Sequence, residues 1–124
     1  METAGWEALL KKPGFKEAVK GVDFFIVSHH GHESGFCQAL FDAMGTRPIL
    51  NIVSIHHNDE YIDDRYRQAA YSLGTKINGE DRHMLTTRCD GTITINVDGE
   101  GRFSVTFEHL PGNKTGKIAK YSFL

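Results

Sequence analysis

Long apolar runs are missing from this 124-residue chain. No stretch approaches the ~18 to 20 consecutive apolar residues that a membrane-spanning helix needs, and no positively charged segment leads into an apolar block at the N-terminus. A soluble, cytoplasmic protein is expected. Cysteine is scarce as well: Cys37 and Cys89 lie far apart with no Cys-x-x-Cys pair, which argues against a zinc knuckle or dithiol motif and leaves two reduced thiols in or near a core. Charge of one sign is not in excess either. Fourteen Lys and Arg face sixteen Asp and Glu, for a net charge of -2, so no global basic field draws the chain onto nucleic acid, and any such contact would have to be local. No internal repeat or low-complexity block interrupts the chain.

What remains is enough hydrophobic content, 40%, for one modest core, so residues 1–124 read as a single domain or part of one. Residues 4–12, AGWEALLKK, set Trp6, Leu9 and Leu10 on one helical face, and Pro13-Gly14 stops the helix. Residues 22–28, VDFFIVS, form a continuous apolar run of strand length, as expected for a strand covered on both faces. Between Ser34 and Met44, residues Phe36, Leu40, Phe41 and Met44 recur at helical spacing, with Ser34 as N-cap and Gly45 as terminator. Residues 48–55, PILNIVSI, predict a second buried strand, and 63–73, DDRYRQAAYSL, a second helix with acidic residues in its first turn and Gly74 at its end. The resulting βαβα order predicts an α/β fold with neighbouring parallel strands. Beyond Gly74 the texture changes to alternation: two period-2 segments around Asp98-Gly99-Glu100-Gly101 predict a β-hairpin, with Ile93, Ile95 and Val97 on one face and Phe103, Val105 and Phe107 on one face of the return strand. The basic tail, residues 110–124, is expected to be a loosely ordered surface segment.

The chemistry concentrates in VSHHGHES, residues 27–34. Histidines at the C-terminal end of a buried parallel strand sit where open α/β sheets bind their ligands. On an extended backbone His29 and His30 point to opposite sides, and Gly31 allows a sharp turn. The residues alone leave two readings open, a metal or catalytic site and a hydrogen-bonded structural pair. Zinc sites use three or four protein ligands, and this stretch has no His-x-x-x-His or His-Glu-x-x-His partner. His56-His57, ending the second predicted strand, comes to the same sheet edge together with Asn58, Asp59 and Asp63 if the strands are parallel neighbours; a plain solvated loop is the other reading. His83 and His109 stand alone and read as structural or exposed.

VDFFIVSHHGHESG, a helix, a strand ending NIVSI, another helix and then HMLTTRCDGTITINVDGEG together resemble the C-terminal half of metallo-β-lactamase-fold hydrolases, in the branch of the ComEC-type DNA-uptake proteins. The residues that carry the likeness are Asp23 with His29, His30, Gly31 and Ser34; Asn58 and Tyr61, in looser register; and Thr87, Gly91 and Ile93. It spans roughly residues 2 to 108. The resemblance implies half of an αββα sandwich whose complete form holds two metal ions in a central cleft, zinc first and manganese or iron as alternatives by geometry. It implies that His29 or His30 is one metal ligand, with the other as a proton-handling or supporting group, and that His56, His57, Asn58 and Asp59 form a substrate-side loop. The family's His-x-His-x-Asp-His loop occurs nowhere in this chain, and METAGWEALL is similar to the segment just after the family's bridging aspartate, with Glu2 in the place of a family glutamate. Where the branch has Gly-His-Pro after its tyrosine, this chain has Ile62-Asp63-Asp64. The implied activity is metal-dependent hydrolysis of phosphodiester or ester bonds, with this chain inactive alone and the missing N-terminal half or a second copy as partner. The alternative is a non-enzymatic interaction or dimerisation module derived from the same fold, since half a sandwich would leave an apolar sheet face open.

Overall fold

The computed structural model describes residues 1–56, 60–77 and 79–108, together with the backbone of 119–123. The fold is mixed α/β. Helix α1 (Thr3–Leu10) ends at the predicted Pro-Gly stop, but Pro13 immediately opens α2 (Pro13–Ala18), in keeping with the fitness of proline for a first helical turn. Strand β1 (Phe24–Ile26), helix α3 (Gln38–Met44) and strand β2 (Leu50–Val53) follow in the expected order. Gly45, at φ 74°, closes α3 as its position suggested. The helix begins later than predicted: Cys37, not Ser34, is its N-cap residue, and the chain before it makes a short 3-10 turn at Glu33–Gly35.

Strands β1 and β2 are parallel neighbours, with Phe24 opposite Leu50 and Ile26 opposite Ile52. A third parallel strand that the sequence reading missed, β5 (Met84–Thr86), pairs with the other edge of β2, giving the order β1-β2-β5. β2 and β5 are both buried along their whole length. β1, expected to be covered on both faces, is an edge strand, and its Ile26 is 68% exposed. One face of this sheet, through Phe25, Val53 and Met84, packs on Leu40, Phe41, Met44 and an aromatic group of Phe36, Tyr66 and Tyr71, with Trp6 and Leu10 of α1 against it. The other face, through Leu50, Leu85 and Phe24, is covered by Ile93, Ile95, Val105 and Phe107.

Those four residues come from the predicted hairpin, β6 (Ile93–Val97) and β7 (Phe103–Phe107), paired in the register that sets Ile95 opposite Val105. Its turn is locked by Asp98, whose carboxylate accepts from the backbone N–H of Glu100 and Arg102 and from the Arg102 guanidinium, while Gly101 takes φ 80°. Val97 overruns the layer below and is exposed. Of the expected loose tail, Ala119–Phe123 forms strand β8 antiparallel to β7; the remainder lies outside the described residues. The apolar sheet face expected to lie open for a partner is therefore lined over much of its extent by the chain's own hairpin.

The helix predicted over 63–73 is replaced by a 3-10 turn at Asp64–Arg67. Competition for its backbone explains the difference. The Asn51 side-chain amide of β2 donates to the carbonyls of Tyr66 and Tyr71, and the Leu73 and Gly74 N–H groups donate to Pro48 and Ile49. Acidic residues and good spacing did not outweigh these long-range bonds. A small hairpin, β3 (Thr75–Ile77) with β4 (Glu80–Arg82), then leads into β5 and the single turn α4 (Thr87–Asp90).

Arg82 and Asp90 tie this last part together. Asp90, 1% exposed, accepts from Arg82 Nη2 at 3.0 and 2.9 Å and from the Thr86 N–H at 2.8 Å. Arg82→Ala would leave that carboxylate buried without its counter-charge. Because Arg82 keeps partial contact with water, the expected loss lies near the lower end of the ~3 to 5 kcal/mol typical of broken buried pairs. Urea unfolding should show it as a lower midpoint at unchanged slope, with Arg82→Leu/Asp90→Leu recovering part of the loss.

Candidate functional site

The C-terminal ends of β1, β2 and β5 share one rim. Val27 N–H donates to Ile52 O at 2.8 Å, and the Thr87 hydroxyl both accepts from Ile55 N–H and donates to Ile55 O, each at 2.8 Å. Past Ser28 the chain leaves the extended conformation altogether. His29 and His30 both take φ 51°, and Gly31 follows at φ 79°. A left-handed conformation costs an L-residue roughly 1 to 2 kcal/mol, and histidine is among the few non-glycine types enriched there.

This backbone corrects the expectation that the two imidazoles diverge. Both side chains are exposed, and together with His32, Glu60 and Tyr61 they line one cavity of about 260 Å³. Each imidazole is anchored through Nδ1. For His30 the partner is the carbonyl oxygen of Ser54 at 2.6 Å, in the segment after β2; for His29 it is the Ser34 hydroxyl at 2.5 Å. His32 Nδ1 lies 2.9 Å from the same hydroxyl and accepts from the Ser34 N–H at 3.2 Å. Ser34 thus serves the imidazoles instead of capping the helix.

The loop is clamped from behind. The Trp6 indole N–H donates to Ser28 Oγ at 3.1 Å, and the Thr3 hydroxyl lies 2.9 and 2.6 Å from the Ser34 and Phe36 carbonyls. Gly31 O accepts from the Asp63 N–H at 2.8 Å. Asp63 in turn takes a forked hydrogen bond from Arg65, whose guanidinium stacks 3.7 Å over the Phe36 ring. The Arg65 hydrogen bond, opposed by burial and aided by the charge of His32, holds the Asp63 carboxyl below the usual carboxylate range. The folded-state value is the lowered one, so this link contributes fully above about pH 4 and is lost as the pH falls through that lower value.

Of the residues predicted for the site, His29 and His30 come together. His56 is exposed and does not line the cavity, and His57, Asn58 and Asp59 lie outside the described residues. His32, Ser54 and Glu60 were not anticipated. His32 was legible as a third imidazole in HHGHES; nothing local marks Ser54 or Glu60. His83 sits elsewhere, with Nδ1 3.1 Å from Ser72 O and its ring against Gly74. Among the described residues no three His, Cys, Asp or Glu side chains converge as a metal site, and no helix is long and apolar enough to cross a membrane. No family model, curated protein or solved structure matches this chain.

The cavity depends on Gly31. A Cβ built there would stand 2.8 Å from Ile62 Cγ2 and 3.3 Å from Val53 Cγ1, on a backbone that L-residues avoid. Gly31→Ala is expected to cost at least about 2 kcal/mol from the conformational and overpacking terms together. A thermal melt measures the loss, and backbone amide shifts of residues 28–36 and 60–66 should move more than those of the β6–β7 hairpin.

Proposed function

We propose that this chain is the C-terminal portion of a metal-dependent hydrolase of the metallo-β-lactamase fold, acting on phosphodiester or ester bonds. The observation that carries this reading is the left-handed turn after β1, which sets His29 and His30 on one cavity at the rim of a parallel sheet. Local strain of this kind is characteristic of functional sites, and the sheet rim is where α/β folds bind ligands.

In this reading His29 and His30 contribute ligand and proton-handling nitrogens to a zinc, manganese or iron site, and Glu60 and Tyr61, which line the same cavity, lie on the substrate side. Two imidazoles fit part of a metal site and do not complete one. The remaining ligands come from the partner that completes the domain, and β1, an edge strand among the described strands of this sheet, with its exposed Ile26 is a suitable place for that partner to begin. The chemistry supplied by a bound metal pair is activation of a water and neutralisation of charge on the scissile group. By itself the chain is expected to retain well under one zinc per molecule after dialysis.

The experiment is to read the coding sequence upstream of Met1 for a His-x-His-x-Asp-His loop and a Gly-Asp pair, and to express the extended protein. It is expected to bind two metal ions and hydrolyse bis-p-nitrophenyl phosphate. Alanine at the ligand among His29 and His30 should lower the rate by ~10- to 100-fold or more, since the loss of even supporting groups at metal sites has that size, and His83→Ala should change it little. Turnover indifferent to both histidines would sink the assignment.

A further inference from the structure

The hydrogen bonds behind the cavity determine which nitrogen each imidazole offers to it. The Ser54 carbonyl can only accept, so the 2.6 Å contact requires a proton on His30 Nδ1 and leaves the lone pair on Nε2. Ser34 makes a longer argument of the same kind. Its backbone N–H points at His32 Nδ1, which must therefore carry a lone pair and no proton. The Ser34 hydroxyl, 2.9 Å from that same nitrogen, can meet it only as a donor, and this uses its single proton. The remaining contact of the hydroxyl, 2.5 Å from His29 Nδ1, then has Oγ as acceptor and His29 as donor.

We infer that Ser34, oriented by His32, is a positioning residue that holds His29 in the Nδ1–H tautomer, so that His29 and His30 both offer Nε2 lone pairs while His32 offers an Nε2–H. In free histidine the proton prefers Nε2, which would leave His29 with its donor where an acceptor is needed; the tautomer is set by the hydrogen bond that the other nitrogen makes. The inference rests on the hydrolase reading only for the use made of those lone pairs. A carbonyl or hydroxyl behind a histidine is the usual way in which proteins aim an imidazole at a metal or an acidic proton. His32 and Ser34 thereby acquire a role that the resemblance did not give them, and it extends to one turn of chain the requirement that both imidazoles be preset before anything binds.

The test is a long-range proton–nitrogen NMR correlation on the full chain labelled with nitrogen-15 at histidine, at a pH where the imidazoles are neutral. His29→Gln, His30→Gln and His32→Gln assign the signals. Wild-type chain is expected to show His29 and His30 as Nδ1–H and His32 as Nε2–H. Ser34→Ala should move His29 toward Nε2–H and leave His30, held by Ser54, unchanged; Ser34→Thr, which keeps the hydroxyl, should restore the wild-type pattern. His29 found as Nε2–H in the wild type, or unchanged in Ser34→Ala, overturns the inference. Should Ser34→Ala fail to fold, the wild-type tautomers decide alone. Wild-type tautomers as expected in a protein whose extended form hydrolyses nothing would remove the hydrolase reading and leave the positioning role standing.

Discussion

Strand β2 is the constraint on which the rest of the structure depends. It is the strand bonded on both edges and buried on both faces, so every residue in it has a partner fixed by position. Leu50 meets the hairpin layer and Val53 the helical layer. Asn51 is a polar group in the middle of this apolar strand, fully buried, and the desolvation of its NH2 half is offset by donation to two carbonyls of the following segment, while its Oδ1 has no hydrogen-bond partner among the described residues. That exchange sets the path of residues 63–74, and hence where Asp63 and Arg65 stand. Just beyond the strand, Ser54 supplies the carbonyl that anchors His30.

The site is built from the same economy of backbone groups. Its turn is unfavourable by itself, with two histidines in a conformation that suits glycine. It is held because α1, the Ser54 segment and the Asp63–Arg65 pair each bind a different part of it. Binding energy distributed over several elements is what allows a strained loop to keep one shape. The imidazoles are anchored through one nitrogen and exposed on the other side, an arrangement that suits ligand binding better than packing.

Much of this was legible in the sequence, for identifiable reasons. The parallel pair β1 and β2, the hairpin and its Asp-Gly-Glu-Gly turn follow from local pattern, and pattern is what a sequence displays directly. Gly31 and Gly45 mark backbone conformations that other residues resist. The helix over 63–73 failed because its carbonyls and N–H groups are claimed by residues 48, 49 and 51, a long-range competition that no window of neighbouring residues contains. β5 is three residues long and too short to show a period. The divergence expected for His29 and His30 assumed an extended chain, whereas the turn begins two residues before its glycine. The shared role of Ser34 was hidden by its equally good credentials as a helix cap.

The order of the strands has a consequence for how the chain acquires its shape. β6 and β7 are joined by a short loop and can zip together on the microsecond scale typical of hairpins. The parallel sheet is a different matter, because its central strand must wait for β5, which follows the whole of the 54–83 segment in the chain. Closing such a loop before any contact rewards it is the slow step in topologies of high contact order. During synthesis β1 and β2 are therefore available well before the strand that completes their sheet, and through that interval the second edge of β2 is an unpaired ladder with apolar side chains on either side. The rim that carries the histidines is assembled only when residues 84–87 arrive to close it.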